Sequence, residues 1–175
     1  MYLLKKGEQT YIYTMSTPHS TTPKSARVQA AETFISIFQT LDATPLNTVL
    51  SSKYYHKIGP SSISGLGPWD KAGFIAHVNS LKKSMTAFPV TITEIIDSDS
   101  SNSVWVWTES DVKWRAEAID GDPAEWSYQG QNMFMFWFDT EGKIEKCIEL
   151  LDSQRSIGVL VPLFQRAMGN LSKGE

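Results

Sequence analysis

Residues 126–153, WSYQGQNMFMFWFDTEGKIEKCIELLDS, decide the fold. They read as a long aromatic strand over 126–138, a tight turn at Glu141-Gly142, and a second strand over 143–152. The second strand carries acids where apolar residues are expected. Side chains alternate along a strand, so Lys143, Glu145, Cys147, Glu149 and Leu151 are expected on one face. Glu149 is then a carboxylate near the end of a strand that pairs with a wall of Phe and Trp. Such a carboxylate is costly unless it is solvated, paired or used in chemistry.

Upstream of this stretch the pattern is helical. Val28, Ala31, Phe34, Ile35, Phe38 and Leu41 recur at helical spacing and predict an amphipathic helix over 26–41. Thr44-Pro45 starts a short second helix through Leu50. Lys53–Ile58 is β-like, and Gly59 to Pro68 is a Gly/Ser/Pro loop. Asp70 is a good N-cap for a helix carrying Phe74, Val78, Leu81 and Met85 on one side. After Phe88-Pro89 the chain reads as extended over 90–97, 103–118, 126–138 and 143–152. Breaks fall at Asp99-Ser100, Gly121-Asp122-Pro123 and Glu141-Gly142. A last helical segment, about 154–169, contains Pro162, which should kink or restart it.

Helices first and long antiparallel strands afterwards argue for an α+β fold. A curved antiparallel sheet packed on two to three N-terminal helices would make a half-open cone that encloses a pocket. Residues 26–175 are expected to form this single domain. Residues 1–25, polar and Pro-punctuated from Met15 on, read as a flexible leader without the pattern of a signal peptide, and Met15 is a candidate natural start.

Composition narrows the class. A chain of 175 residues can bury a real core in one domain. Six Trp is a high number, and aromatics often line concave apolar sites. A net charge of −3 offers nucleic acid no basic face. The scattered Lys and Arg argue against an anionic membrane surface, and no stretch is apolar for long enough to span a bilayer. The single cysteine, Cys147, excludes an internal disulfide and fits a reducing, cytoplasmic compartment. His19, His56 and His77 are far apart, and no Cys/His spacing resembles a zinc site, so no metal is expected. The segment 59–67 has no Gly-Lys-Ser/Thr after it, Gly65-Leu66-Gly67 lacks a third glycine, and there is no Gly-x-Ser-x-Gly elbow. No nucleotide, flavin or other cofactor is expected.

Several side chains are candidates for chemistry, each with a plainer reading beside it. Glu149 is either a general acid or base whose proton affinity is raised by apolar neighbours, or a strand-end acid paired with Lys146, Arg155 or Lys113. Tyr128, Gly130 and Asn132 alternate onto one face. Tyr128 could donate to a carbonyl or enolate oxygen and Asn132 could orient a polar group, or the three are a packing row. Tyr54, His56 and Ile58 share a strand face, where His56 is a proton carrier or a hydrogen-bonded structural residue. His77 reads as structural. Trp105 and Trp107 alternate on one face, as pocket wall or as core. Phe134 belongs to the aromatic wall, and Trp69 could shield a pocket mouth. Asp152 lies on the opposite strand face from Glu149 and reads better as a helix cap with Ser153 than as a site residue.

These residues also resemble a known group. Tyr55-His56-Lys57-Ile58-Gly59-Pro60-Ser61-Ser62, Phe88-Pro89-Val90-Thr91, Val104-Trp105-Val106-Trp107-Thr108, Tyr128-Gln129-Gly130-Gln131-Asn132-Met133-Phe134 and Glu149-Leu150-Leu151-Asp152-Ser153 resemble the SnoaL-like branch of the nuclear transport factor 2-like superfamily. The chain looks closest there to small cofactor-free enzymes of fungal natural-product clusters, over about residues 26–155. The resemblance implies an α+β cone, dimeric through its sheet, with a pocket inside. It implies cyclisations, isomerisations, dehydrations or rearrangements of polyketides, meroterpenoids and alkaloids. It assigns the motif tyrosine to Tyr128 and the motif acid to Glu149. Leu150 replaces the usual aromatic, and Gly130-Gln131-Asn132 stands where relatives often carry Gly-Glu-Tyr, which removes a proton donor.

The functional expectation is a cofactor-independent isomerase or cyclase on a hydrophobic, oxygenated small molecule. Glu149 would move a proton, Tyr128 would polarise an oxygen and His56 would assist. Asn132, Trp105, Trp107, Phe134, Trp69 and Asp152 would hold the substrate. The alternatives are a dehydratase using the same groups, and a non-catalytic binding protein or dimeric scaffold. A deep cavity with Glu149 inside favours catalysis. An interior filled by its own side chains beneath an exposed apolar sheet favours a scaffold.

Overall fold

The computed structural model describes residues 3–6, 9–12, 23–63 and 65–173. Strands β1 (Leu3–Lys6) and β2 (Gln9–Ile12) pair antiparallel. The rest of the expected leader up to Thr22 lies outside the described residues. Helix α1 (Ala26–Ser36) begins where the Ser25 hydroxyl accepts from the Val28 amide at 3.1 Å, satisfying one donor of the first turn. It buries Val28, Ala31, Phe34 and Ile35, then tightens into a 3-10 turn over Ile37–Gln39. The expected helix through residue 41 therefore ends earlier, and Leu41 adopts a positive φ of 55°.

A short helix α2 (Leu46–Val49) leads into β3 (Leu50–Gly59). Helix α3 (Lys71–Leu81) is capped by the Asp70 carboxylate, which accepts from the Gly73 amide at 2.7 Å. It buries Phe74 and Val78, and Met85 falls beyond it in β4 (Met85–Ala87). The extended half supplies β5 (Val90–Ser98), β6 (Ser103–Asp111), β7 (Lys113–Trp114), β8 (Gln129–Phe138) and β9 (Ile144–Leu151). Residues 116–118 and 123–126, inside or beside stretches expected to be extended, are 3-10 turns.

The main sheet has five strands in the order β3-β9-β8-β6-β5, with β4 and β7 paired separately. Its pairings are antiparallel except β3 with β9, which run parallel. The helices cover the face that carries Val104, Val106, Thr108, Asn132, Phe134, Phe136, Cys147 and Glu149, all buried. One expectation about that face is corrected. Lys143 and Glu145 do not share it with Cys147 and Glu149; Ile144 does, at 0% exposure. The register of β8 against β9 shifts between Trp137 and Phe138, and such a bulge inserts one residue and reverses the alternation.

The chain ends in α4 (Ser153–Arg155), a π turn over Ser156–Leu160, and α5 (Val161–Leu171). Pro162 sits in the first turn of α5, where its missing amide hydrogen costs nothing. Among the described residues no helix is long and apolar enough to cross a membrane.

Candidate functional site

Four side chains from three neighbouring strands meet on the covered face. In the parallel β3/β9 pair, His56 stands opposite Cys147 and Ile58 opposite Glu149. Across β9, Phe134 of β8 is the register partner of Glu149. His56 lies between two groups: its Nδ1 is 2.7 Å from the Tyr54 hydroxyl and its Nε2 is 3.2 Å from Glu149 Oε2. The other carboxylate oxygen, Oε1, accepts from Asn132 Nδ2 at 3.2 Å. The chain of contacts is thus Tyr54–His56–Glu149–Asn132.

The geometry orders the protons. If Nδ1 of a neutral His56 carried the hydrogen, a bare Nε2 would face a carboxylate oxygen, acceptor against acceptor. The favourable neutral arrangement has the Tyr54 O–H donating to Nδ1 and Nε2–H donating to Glu149. Burial is the first cause that pushes the Tyr54 hydroxyl well above its ordinary pKa, with the nearby charges of Cys147 and Glu149 adding to it. The Cys147 thiol is also pushed well up, by burial first and then by Glu149. Both therefore stay protonated at neutral pH, and Cys147 is a small buried group rather than a nucleophile.

The surroundings are aromatic. Phe74 stacks on the His56 ring at 4.3 Å between centroids, and Trp69 lies 5.7 Å away. The backbones of His56 and Trp69 also exchange hydrogen bonds of 2.8 and 3.0 Å, which ties the 60–69 loop to the site. Trp69 in turn stacks on His77 at 4.4 Å. Burial holds the His77 imidazole below its usual pKa; the Glu149 charge opposes that shift and His56 reinforces it.

The structure brings Glu149, His56, Asn132 and Phe134 together, with Trp69 at their edge. It separates the other candidates. Tyr128 is buried with its phenol folded over Gly130, the hydroxyl 2.1 Å from the point a Cβ on Gly130 would occupy. Its ring stacks near Phe88. No hydrogen bond joins it to Glu149 or His56, so the phenol that touches the acid–base pair is Tyr54. Trp105 and Trp107, 43% and 41% exposed, lie on the opposite sheet face, because Val104, Val106 and Thr108 take the inner positions of β6. Asp152 caps α4 by accepting from the Arg155 amide at 3.1 Å.

Two members of the site carried no role in the sequence reading. Tyr54 was legible as a face-mate of His56, two residues away on one strand. His77 was not, since only the folding of α3 over β3 brings it to Trp69.

The space between sheet and helices is occupied at its centre by rings. Phe38, Phe74, Phe134 and Phe136 lie 5.0 to 6.2 Å from Phe34. A cavity of about 550 Å³ lies elsewhere, lined by Thr91, Glu109, Asp111, Lys113, Gln129 and Gln131 among others. A second, of about 70 Å³, is lined by Ile96, Trp105, Trp107 and Met133. Neither is lined by Glu149 or His56. Glu149 reaches solvent only slightly, its side chain being 10% exposed. Among the described residues no three His, Cys, Asp or Glu side chains are grouped to hold a metal ion.

An α+β half-cone of this topology has solved counterparts. The chain superposes on an ntf2-like protein of unknown function from Burkholderia pseudomallei with a TM-score of 0.62, at 16% identity, covering 78% of this chain and 98% of that one. The fold is nuclear transport factor 2-like. Within that nuclear transport factor 2-like fold the chain also matches the BvnE pinacolase from Penicillium brevicompactum, with a TM-score of 0.64 at 16% identity, over 82% of this chain and 95% of that one. In sequence it is 22% identical over 129 residues to Core atranone cluster (CAC) protein 11 of Stachybotrys chlorohalonatus, spanning 74% of this chain and 90% of that protein. No protein-family model matches the chain. The neighbours agree with the SnoaL-like resemblance at the level of fold.

Proposed function

We propose that this protein is a cofactor-independent enzyme, an isomerase or cyclase, that works by proton transfer on a hydrophobic, oxygenated secondary metabolite. One observation carries the reading: a carboxylate, Glu149, is held by His56 and Asn132 inside an aromatic shell instead of being left in water. A purely structural role would be met at lower cost by an apolar residue, since burying an ion pair is at best weakly stabilising. Glu149 takes a proton from the substrate and returns it to another atom, so the reaction is neutral in mass. His56 stabilises the ionised carboxylate through Nε2–H, and Tyr54 holds His56 in the tautomer that does so. This replaces the role first given to Tyr128. The shared fold of the BvnE pinacolase, an enzyme named for a rearrangement, supports the reaction class. The Glu149 side chain is 10% exposed and lines neither cavity, so a substrate reaches it only when a covering side chain such as Trp69, whose ring lies 5.7 Å from that of His56, moves aside.

The test offers the protein a panel of hydrophobic, oxygenated polyketides, meroterpenoids and alkaloids and follows their conversion by mass spectrometry. Glu149→Gln and His56→Gln variants that fold normally should lose conversion by about 100-fold or more, the usual contribution of a positioned proton-transfer group. Unchanged turnover in Glu149→Gln refutes the assignment. A product lighter by one water would place the reaction among dehydrations.

A second reading rests on two other observations: rings fill the space between sheet and helices and neither cavity is lined by Glu149, which is the arrangement expected of a scaffold and not of a deep catalytic pocket. The outer sheet face exposes Ile96 at 54% beside Trp105 and Trp107, with Tyr55 and Leu150 exposed on neighbouring strands, and contiguous exposed apolar side chains mark interaction surfaces. This supports self-association through the sheet, as a dimeric enzyme or as a non-catalytic scaffold. Loss of function on breaking the dimer, with Glu149 variants fully active, would favour the scaffold.

A further inference from the structure

The polar cluster has one atom with nothing to do. Asn132 is 3% exposed, and its Oδ1 has no hydrogen-bond partner among the described residues. Its amide is not free to turn. Nδ2 donates to Glu149 Oε1, and the reverse orientation would set Oδ1 against a carboxylate oxygen. The strand beneath is fixed as well: the Thr108 hydroxyl donates to the Asn132 carbonyl at 3.1 Å, and β6 and β9 flank β8 in register at this residue.

Counting the remaining hydrogens gives the chemistry the site accepts. The Tyr54 hydrogen is spent on His56, the Nε2 hydrogen on Glu149 Oε2, and one Nδ2 hydrogen on Glu149 Oε1. What is left is the second Nδ2 hydrogen, both lone pairs of Asn132 Oδ1 and the outer lone pairs of the carboxylate. A ligand presenting a bare carbonyl or ether oxygen can accept the remaining Nδ2 hydrogen but leaves Oδ1 unpaired. A ligand presenting an O–H pairs it.

We infer that the site selects a substrate hydroxyl, with Asn132 Oδ1 as the acceptor that reads it beside Glu149. Asn132 is thus a specificity-determining residue, and the substrate class of the proposed reaction narrows to alcohols, enols or phenols on an apolar skeleton. The inference rests on the acid–base reading of the same site, yet it concerns binding and can fail or stand separately from turnover.

The experiment uses two probes of one shape, racemic 1-indanol and 1-indanone, which differ at a single oxygen. Affinities are measured by calorimetric titration of the full chain. The Asn132 side-chain amide is followed in nitrogen-15 correlation spectra of the unmodified protein. The alcohol should bind at least about tenfold tighter, the factor expected when an analogue leaves a buried acceptor unpaired. It should move the Asn132 amide signals, and the ketone should move them less. In Asn132→Leu the preference should fall to near unity. Equal affinities, tighter ketone binding, no binding of either probe, or a preference that survives in Asn132→Leu overturns the inference. If that variant does not fold, the amide signals of the unmodified protein decide alone. An alcohol preference in a protein whose Glu149→Gln variant keeps full turnover would uphold the hydroxyl reading and remove the proton-transfer one.

Discussion

Replacing Tyr54 by Phe is the most informative single change to this protein. It deletes one oxygen and leaves the ring, so the core around Phe34 and Phe74 keeps its packing. What it removes is the 2.7 Å partner of His56 Nδ1, in a side chain that is 0% exposed. Water cannot replace that partner without opening the β3/β9 edge. A buried polar atom left unsatisfied costs about 1–3 kcal/mol. For a chain of this size each kcal/mol lowers Tm by roughly 2–4 °C, so Tyr54→Phe should melt roughly 2–12 °C lower.

The loss has a second signature that simple destabilisation would not produce. With the phenol gone, Nδ1 loses its donor and only the Glu149 carboxylate still favours the hydrogen on Nε2. The nitrogen-15 shifts of His56 should then move from a clean Nε2–H pattern toward a mixture of tautomers. Any turnover that depends on Nε2–H facing Glu149 should fall through kcat more than through KM, because the ground-state pocket is unchanged. A Tyr54→Phe protein with unaltered Tm and an unaltered His56 spectrum would refute the assignment of Tyr54 as the group that orders this network.

Other consequences are open to measurement. Gly130→Ala places a methyl 2.1 Å from the Tyr128 hydroxyl and 2.7 Å from its ring carbon, so it should cost about 1–3 kcal/mol by overpacking, and Tyr128→Leu in the same chain should recover part of that loss in thermal melts. His77 has a folded pKa below its unfolded value of about 6.5, so its contribution to stability is complete above that pH and is lost as pH falls through the folded value; urea midpoints should decline on acidification from about pH 6.5, and less steeply in His77→Gln. Trp105→Lys with Trp107→Lys puts two charges on the exposed sheet face and should abolish the proposed self-association in sedimentation velocity, while costing the monomer no more than about 1 kcal/mol of stability.

Much of the architecture was legible because its signals are local. The spacing of Val28, Ala31 and Phe34, the Asp70 cap and the turn at Glu141-Gly142 each act within a few residues, and each appears in the structure where the periodicity put it. Less legible was the choice of which parity faces inward. In β6 the outward residues, Trp105 and Trp107, are larger and more apolar than the inward Thr108 and Ser110. An alternating strand with apolar side chains of both parities carries no local sign of its inner face. In β9 the bulge near Glu145 shifts the phase, so strict alternation carried across it assigns Lys143 and Glu145 to the face of Cys147 and Glu149, where Ile144 in fact lies.

The site was half legible for a related reason. Glu149 stood out because a lone acid in an apolar strand demands an explanation, and His56 because few residues titrate near neutral pH. Their partnership was not visible, since it depends on β3 lying parallel beside β9, a contact between residues 93 positions apart. That pairing also demotes Tyr128 and promotes Tyr54. A phenol just before β8 must reach along and across the sheet to meet Glu149, and here it folds over Gly130 instead; a phenol on β3 needs only its inward position two residues from His56. Asn132 gains its importance by the same route. Read along the sequence it marks the loss of a proton donor. Set in the sheet it is the amide that holds the carboxylate with its nitrogen, leaving its oxygen as the one buried acceptor of the cluster without a partner.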